Sequence, residues 1–203
     1  MGDTFYTLKA PSEAVYKEKM SKFMAFAVPV TSVADARLVI SKYQKDYFDA
    51  RHVCWAYMIG AARADFQSND NGEPSGTAGK PILGQINSFN LTNLVIVVVR
   101  YFGGIKLGTS GLITAYKEAA REAILAGEII ECHEMSEIHI TFPYMSMNDV
   151  MRAAKSPGVK IKEQEFDNSC SMVLAIRSDE SERLCARLSD IDGVSLADVR
   201  QTL

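Results

Sequence analysis

LVIVVVRYFGGIKLGTSG, residues 94–111, decides the architecture, because a strand, a turn and a helix start follow one another in it without a break. The residues from Leu94 to Val99 are all apolar. A strand with one wet face alternates, so an uninterrupted apolar run marks a strand covered on both sides, at the centre of a sheet. Gly103 and Gly104 close that strand. Further on, ITAYKEAAREAILAG places Ile113, Tyr116, Ala120, Ala123 and Ile124 on one face of a helix, with Gly127 as its stop.

Upstream, TFYTL (Thr4 to Leu8) reads as a strand, and the stretch from Glu13 to Val30 as one strand or a hairpin. Ser32 and Asp35 have capping-box spacing ahead of Ala36, Val39, Tyr43 and Tyr47, which predicts a helix of about four turns. His52 to Gly60 and Phe66 to Ser68 are strand-like. Beyond His133 the pattern changes. A strand from Ser136, a helix over Met147 to Lys155 stopped at Pro157-Gly158, and a strand over Val159 to Phe166 lead to a turn at Asp167-Asn168. A strand, a helix carrying Leu184, Leu188 and Ile191, and a last strand from Gly193 to Leu203 follow. That βαββαβ order is the ferredoxin-like split pattern. We expect an α+β protein of two domains, residues 1–133 and 134–203.

The chain has 203 residues, 47% of them hydrophobic, with a formal charge of -3 and a pI near 5.7. Residues 1–133 hold 14 Lys or Arg against 13 Asp or Glu, and 134–203 hold 8 against 12. An acidic molecule has no general attraction for phosphate backbones or anionic membranes, so any nucleic-acid contact must be local. No run approaches the roughly 18 apolar residues of a membrane span, and charges from Asp3 to Lys22 leave no signal-peptide core. A cytoplasmic protein with no membrane partner is expected. Cys54, Cys132, Cys170 and Cys185 are scattered, which favours reduced thiols over a disulfide framework or a structural zinc site.

A second glycine-rich segment, NDNGEPSGTAGKP (69–81), also lies between a strand and a helix. In that setting backbone N–H groups and the positive helix end converge on an anion. Gly72, Ser75, Gly76, Thr77 and Lys80 in this loop, and Arg100, Gly103, Gly104, Lys106, Gly108, Thr109 and Ser110 in the other, are the candidate anion-binding residues. Glycines needed only for turns and helix starts explain the pattern equally well. Neither loop matches a GxxxxGK[ST] or GxGxxG fingerprint. Asp70 and Glu73 could ligate magnesium but read better as loop and helix-start caps, so no metal or cofactor is expected. His52 and Cys54, at i and i+2 on one strand face, could juxtapose a base and a thiol; a buried strand face accounts for them as well. No catalytic residue is assigned.

DARHVCWAYMIG, NDNGEPSGTAGKPIL and VVVRYFGGIKLGTSGLITAY, in that order, resemble the signature of the IMPACT family, and the βαββαβ tail resembles that family's small C-terminal domain. Ser110 stands where many relatives have glycine, Ile105 where threonine is usual, and residues 69–71 read NDN in place of a run of aspartates. The resemblance implies an N-terminal domain similar to the second domain of ribosomal protein S5, and a C-terminal domain similar to the ferredoxin-like domain V of elongation factor G. It also implies kinship with eukaryotic translational regulators that compete for the activator of an initiation-factor kinase and carry an additional RWD domain, absent from this sequence. The leading expectation is a non-enzymatic, translation-associated protein whose partner is RNA, the ribosome, a protein or a small anionic ligand. The alternative is an enzyme acting on a phosphorylated or nucleotide-like small molecule. In both, the two glycine loops lie side by side at one edge of the N-terminal sheet and share a pocket.

Overall fold

A computed structural model describing residues 4–167 and 169–202 gives a mixed α+β protein. Of the sequence expectations, Asn168 in the interior turn and Leu203 at the last strand's end lie outside the described residues. The chain forms two compact units, Phe5–Cys132 and a second running from His133 that includes Thr4.

Apart from the end residues Thr4 and His133, the first unit contains β1 (Thr4–Leu8), β2 (Ser12–Glu18), β3 (Ser21–Pro29), α1 (Val33–Asp46), β4 (His52–Ile59), β5 (Asp65–Asn69), α2 (Gly79–Ser88), β6 (Leu94–Tyr101), α3 (Gly108–Leu125) and β7 (Ile129–His133). An antiparallel sheet runs β2-β3-β6-β4-β5, with the apolar run of β6 in the middle. Alternation then sorts that run between two cores. Val95, Val97 and Val99 pack with Phe26, Val53, Tyr57 and the α1 residues Ala36 and Ile40. Leu94, Ile96 and Val98 pack with Ile82 and Ile86 of α2 and Leu112, Ala119 and Ala123 of α3. Successive side chains of a strand point to opposite faces, so only a strand with helices on both sides can be apolar throughout.

Ser32 caps α1 as its spacing with Asp35 predicts: the Asp35 N–H donates to the Ser32 hydroxyl at 3.1 Å. Along α3 the buried face is centred differently from the sequence reading. Leu112, Ala115, Tyr116 and Ala119 are inside, whereas Ile113 is 41% exposed, because small residues let the helix lie close to the sheet and rotate Ile113 outwards. β7, which pairs with β1, was not anticipated; its five residues alternate too weakly to stand out.

The second unit holds β8 (Met135–Phe142), α4 (Met147–Ala154), β9 (Lys160–Phe166), β10 (Cys170–Arg177), α5 (Ser178–Ser189) and β11 (Ser195–Thr202), with a four-stranded antiparallel sheet ordered β11-β8-β10-β9. Its core is Ile138, Ile140, Met172 and Leu174 from the sheet and Val150, Leu184 and Leu188 from the helices. The edge strand β9, KIKEQEF, is exposed along its length, and its charges discourage pairing with another chain.

Ile96 lies at the centre of the first unit with no solvent exposure. Ile96→Ala should cost about 2–5 kcal/mol, read as a lower urea midpoint at unchanged slope.

Candidate functional site

Strand register brings three unlike side chains into one row. Arg100 of β6 lies opposite Phe23 of β3 on one side and His52 of β4 on the other. Directly opposed residues share a face of the sheet. Arg100 continues the series Leu94, Ile96 and Val98, so the strand delivers its guanidinium to the face covered by α2 and α3, where it is only 6% exposed. A charge in that position requires a partner. Glu73, itself 8% exposed, reaches in from the loop after β5, and Arg100 Nη1 donates to its Oε1 at 2.6 Å. The Tyr116 hydroxyl of α3 donates to the same oxygen at 2.9 Å. The guanidinium carbon sits 5.5 Å from the Phe23 ring centre and 5.6 Å from that of Phe102. Arg100 Nε has no partner among the described residues.

His52 Nδ1 is 2.8 Å from the carbonyl oxygen of Asn71. A carbonyl can only accept, so Nδ1 carries a proton, and Nε2 faces Glu73 Oε1 at 3.9 Å. Cys54 lies one row further in, with no solvent exposure, and its thiol donates to the Asp70 carbonyl at 2.9 Å. Burial pushes that thiol up to about 12, with Glu73 and Asp70 adding to the effect, so Cys54 is no nucleophile. Burial likewise raises the Tyr116 hydroxyl, which stays protonated as a donor to Glu73.

The two glycine-rich loops lead to helix starts of opposite character. At α2 the backbone donors are already occupied: Gly76, Ala78 and Gly79 donate to the Asp70 carboxylate at 2.8, 3.0 and 2.8 Å. Burial alone would raise Asp70, but these three bonds and the nearby Lys80 charge outweigh it and hold the carboxyl below its ordinary value. The helix therefore begins at Gly79, within the glycine-rich segment 69–81. At α3 there is no side-chain cap and no acidic residue in the first turn. Gly108, with φ of 72°, turns the chain from Leu107 into that helix, a conformation that favours glycine. Gly103 is needed for a different reason: a Cβ there would lie 2.1 Å from the backbone of Met20 in the β2–β3 turn.

A pocket of about 450 Å³ opens between the loops. Glu73 and Pro74 line it from the first loop, Phe102, Lys106, Leu107, Gly108 and Thr109 from the second, and Arg51, His52, Arg100 and Leu112 complete it. Of the residues singled out from the sequence, Glu73, Arg100, Lys106, Gly108 and Thr109 thus come together. Asp70, Gly72, Ser75, Gly76, Thr77, Lys80, Gly103, Gly104 and Ser110 do not line this pocket. Thr77 is buried, its hydroxyl donating to the Pro74 carbonyl at 2.6 Å, and Ser110 borders a shallow depression with Glu18 and Lys19. Arg51 and Phe102 carried no sequence signal of their own. Tyr116 was read only as part of a helix face. Among the described residues no group of three or more His, Cys, Asp and Glu is placed to hold a metal ion, and no helix is long and apolar enough to cross a membrane.

Asp70→Ala should cost about 1–2 kcal/mol, the worth of a lost helix cap. Because the folded carboxyl is lowered, this difference from the parent is complete above the unfolded pKa of about 3.9 and shrinks as pH falls through the lower folded value. Urea unfolding of both proteins from neutral pH to pH 3 checks this; a difference that grows on acidification would refute it. Glu73→Ala should cost about 3–5 kcal/mol by leaving the Arg100 charge buried and unpaired, and Arg100→Met in the same chain should recover part of that loss. A double-mutant cycle in urea measures the recovery.

The Impact N-terminal domain family matches residues 19–124, which include every residue lining the pocket. An IMPACT family member of Haemophilus influenzae is 32% identical over 88% of this chain and 89% of its own. IMPACT family member YvyE of Bacillus subtilis is 30% identical, covering 88% of this chain and 82% of the relative. A crystal structure described as that of a hypothetical protein superposes over 97% of both chains with a TM-score of 0.74 and 26% identity. With a family domain spanning over half its length and relatives matched nearly end to end, the chain belongs to the IMPACT family.

Proposed function

We propose that this chain is a non-catalytic, translation-associated protein that engages an anionic group of RNA or the ribosome through the pocket between its glycine-rich loops. One observation carries the reading: the uncapped start of α3 faces the same pocket as Arg51, Arg100 and Lys106. Backbone donors at a helix N-terminus and convergent cations make an anion site. Membership of the IMPACT family supplies the link with translation, through the resemblance to eukaryotic translational regulators. We further read Phe5–Cys132 as similar to the second domain of ribosomal protein S5. The second unit reads as a ferredoxin-like domain similar to domain V of elongation factor G, a reading supported by its βαββαβ succession and its sheet order of β11-β8-β10-β9.

An enzyme acting on a phosphorylated small molecule would use the same pocket, but the groups available for proton transfer count against it. Glu73 is committed to Arg100 and Tyr116, and the Cys54 thiol is held protonated in the core.

At low salt the protein should co-sediment with ribosomal or RNA-containing fractions of a lysate. Arg51→Ala and Lys106→Ala should each reduce the bound fraction and lower the salt dependence of binding by about one ion. Absence from those fractions, together with no RNA crosslink, would end this reading.

A further inference from the structure

We propose that the pocket takes a terminal phosphomonoester carried on a nucleoside, supplied as a free nucleotide or as the 5′-phosphorylated end of an RNA; this rests on the anion-binding reading above. Charge is the first argument. Arg51, Arg100 and Lys106 line the pocket against the single carboxylate of Glu73, a surplus of two positive charges before the α3 N-terminus is considered. Arg51 and Lys106 are exposed, and neither is ion-paired among the described residues. An internal phosphodiester or a carboxylate brings one negative charge. A phosphomonoester brings nearly two at neutral pH and presents three acceptor oxygens, which suits several donors converging from different directions.

Shape is the second argument. Internal nucleic-acid backbone is held along a groove of cations that follows successive phosphates. Here the cations converge on one concavity. Arg100 lines the pocket while 94% buried, and its charge is met by Glu73. The wall next to the cations is apolar. Phe102 is 42% exposed, with the Arg100 guanidinium near its ring, and Pro74, Leu107 and Leu112 extend the surface. A base stacks on such an aromatic ring regardless of its identity, so the site would read the phosphate and the presence of a base rather than a sequence.

Calorimetric titration of the full chain tests this with adenosine 5′-monophosphate, adenosine, inorganic phosphate and a short RNA in 5′-phosphate and 5′-hydroxyl forms. We expect the nucleotide or the 5′-phosphorylated RNA to bind at least about tenfold more tightly than its dephosphorylated counterpart, a difference of about 1.4 kcal/mol. Tight binding of the RNA alone identifies an RNA end as the source, and of the mononucleotide alone a free nucleotide. Arg51→Ala and Lys106→Ala should each weaken that binding by about tenfold at unchanged melting temperature. Phe102→Ala should weaken the nucleotide more than inorganic phosphate, and Lys80→Ala, outside the pocket, should change nothing. Equal affinity for the 5′-phosphate and 5′-hydroxyl RNAs would overturn the phosphomonoester while leaving RNA binding intact. Ribosome association with no affinity for any phosphorylated probe would overturn it while leaving the translation-associated reading standing. Equal affinity for adenosine 5′-monophosphate and inorganic phosphate would overturn the nucleoside.

Discussion

The ion pair between Arg100 and Glu73 ties together parts of the first unit that otherwise meet only through apolar contacts. Arg100 is the last inward residue of the central strand, Glu73 belongs to a nine-residue connection without regular structure, and Tyr116 comes from the longest helix; one carboxylate oxygen is common to all three. Such a pair contributes little net stability, since the desolvation of two charges offsets most of their attraction. Its effect is on position. A loop with two glycines has many accessible shapes, and a charge that must be met at 2.6 Å selects among them. With Glu73 fixed, Pro74 becomes pocket wall and the Asp70 carboxylate lies under the start of α2.

Because Glu73 neutralises Arg100 within the fold, the charge available to a ligand comes mainly from the exposed pair Arg51 and Lys106 and from the helix end. This resolves an apparent conflict between an acidic chain and an anion site. Charges further than about 8 Å are largely screened at physiological salt, so the formal charge of -3 describes solubility and long-range steering rather than the field inside the pocket. The excess acid lies mostly beyond residue 133, where 12 acidic residues face 8 basic ones.

The sheet was legible because hydrophobic period reports burial directly: six apolar residues in a row admit only a central strand, and the structure puts β6 third of five. The placement of Arg100 was equally implicit, being two residues after Val98 on the same face. What the sequence could not show is which polar groups would meet. Asp70 caps a helix that begins nine residues later, beyond the local spacing at which caps are recognised. Arg51 and Phe102 gain their significance only from the antiparallel register that sets the beginning of β4 against the end of β6. Residues without a motif are joined by topology, and a search by spacing passes over them.

The two helix starts differ in how their backbone donors are satisfied. Both follow a strand through a glycine-rich turn, and both present backbone donors beside a cation. At α2 the fold satisfies those donors from within, using a carboxylate that lowers its own proton affinity in doing so. The same solution was available at α3 by placing one acidic residue in its first turn, where the sequence instead has Gly108, Thr109, Ser110 and Gly111. A local cap of that kind is worth about 1 kcal/mol. Leaving it out, next to the exposed pair Arg51 and Lys106 whose charge a cap would partly offset, keeps the donors free for an anion that the chain does not itself provide.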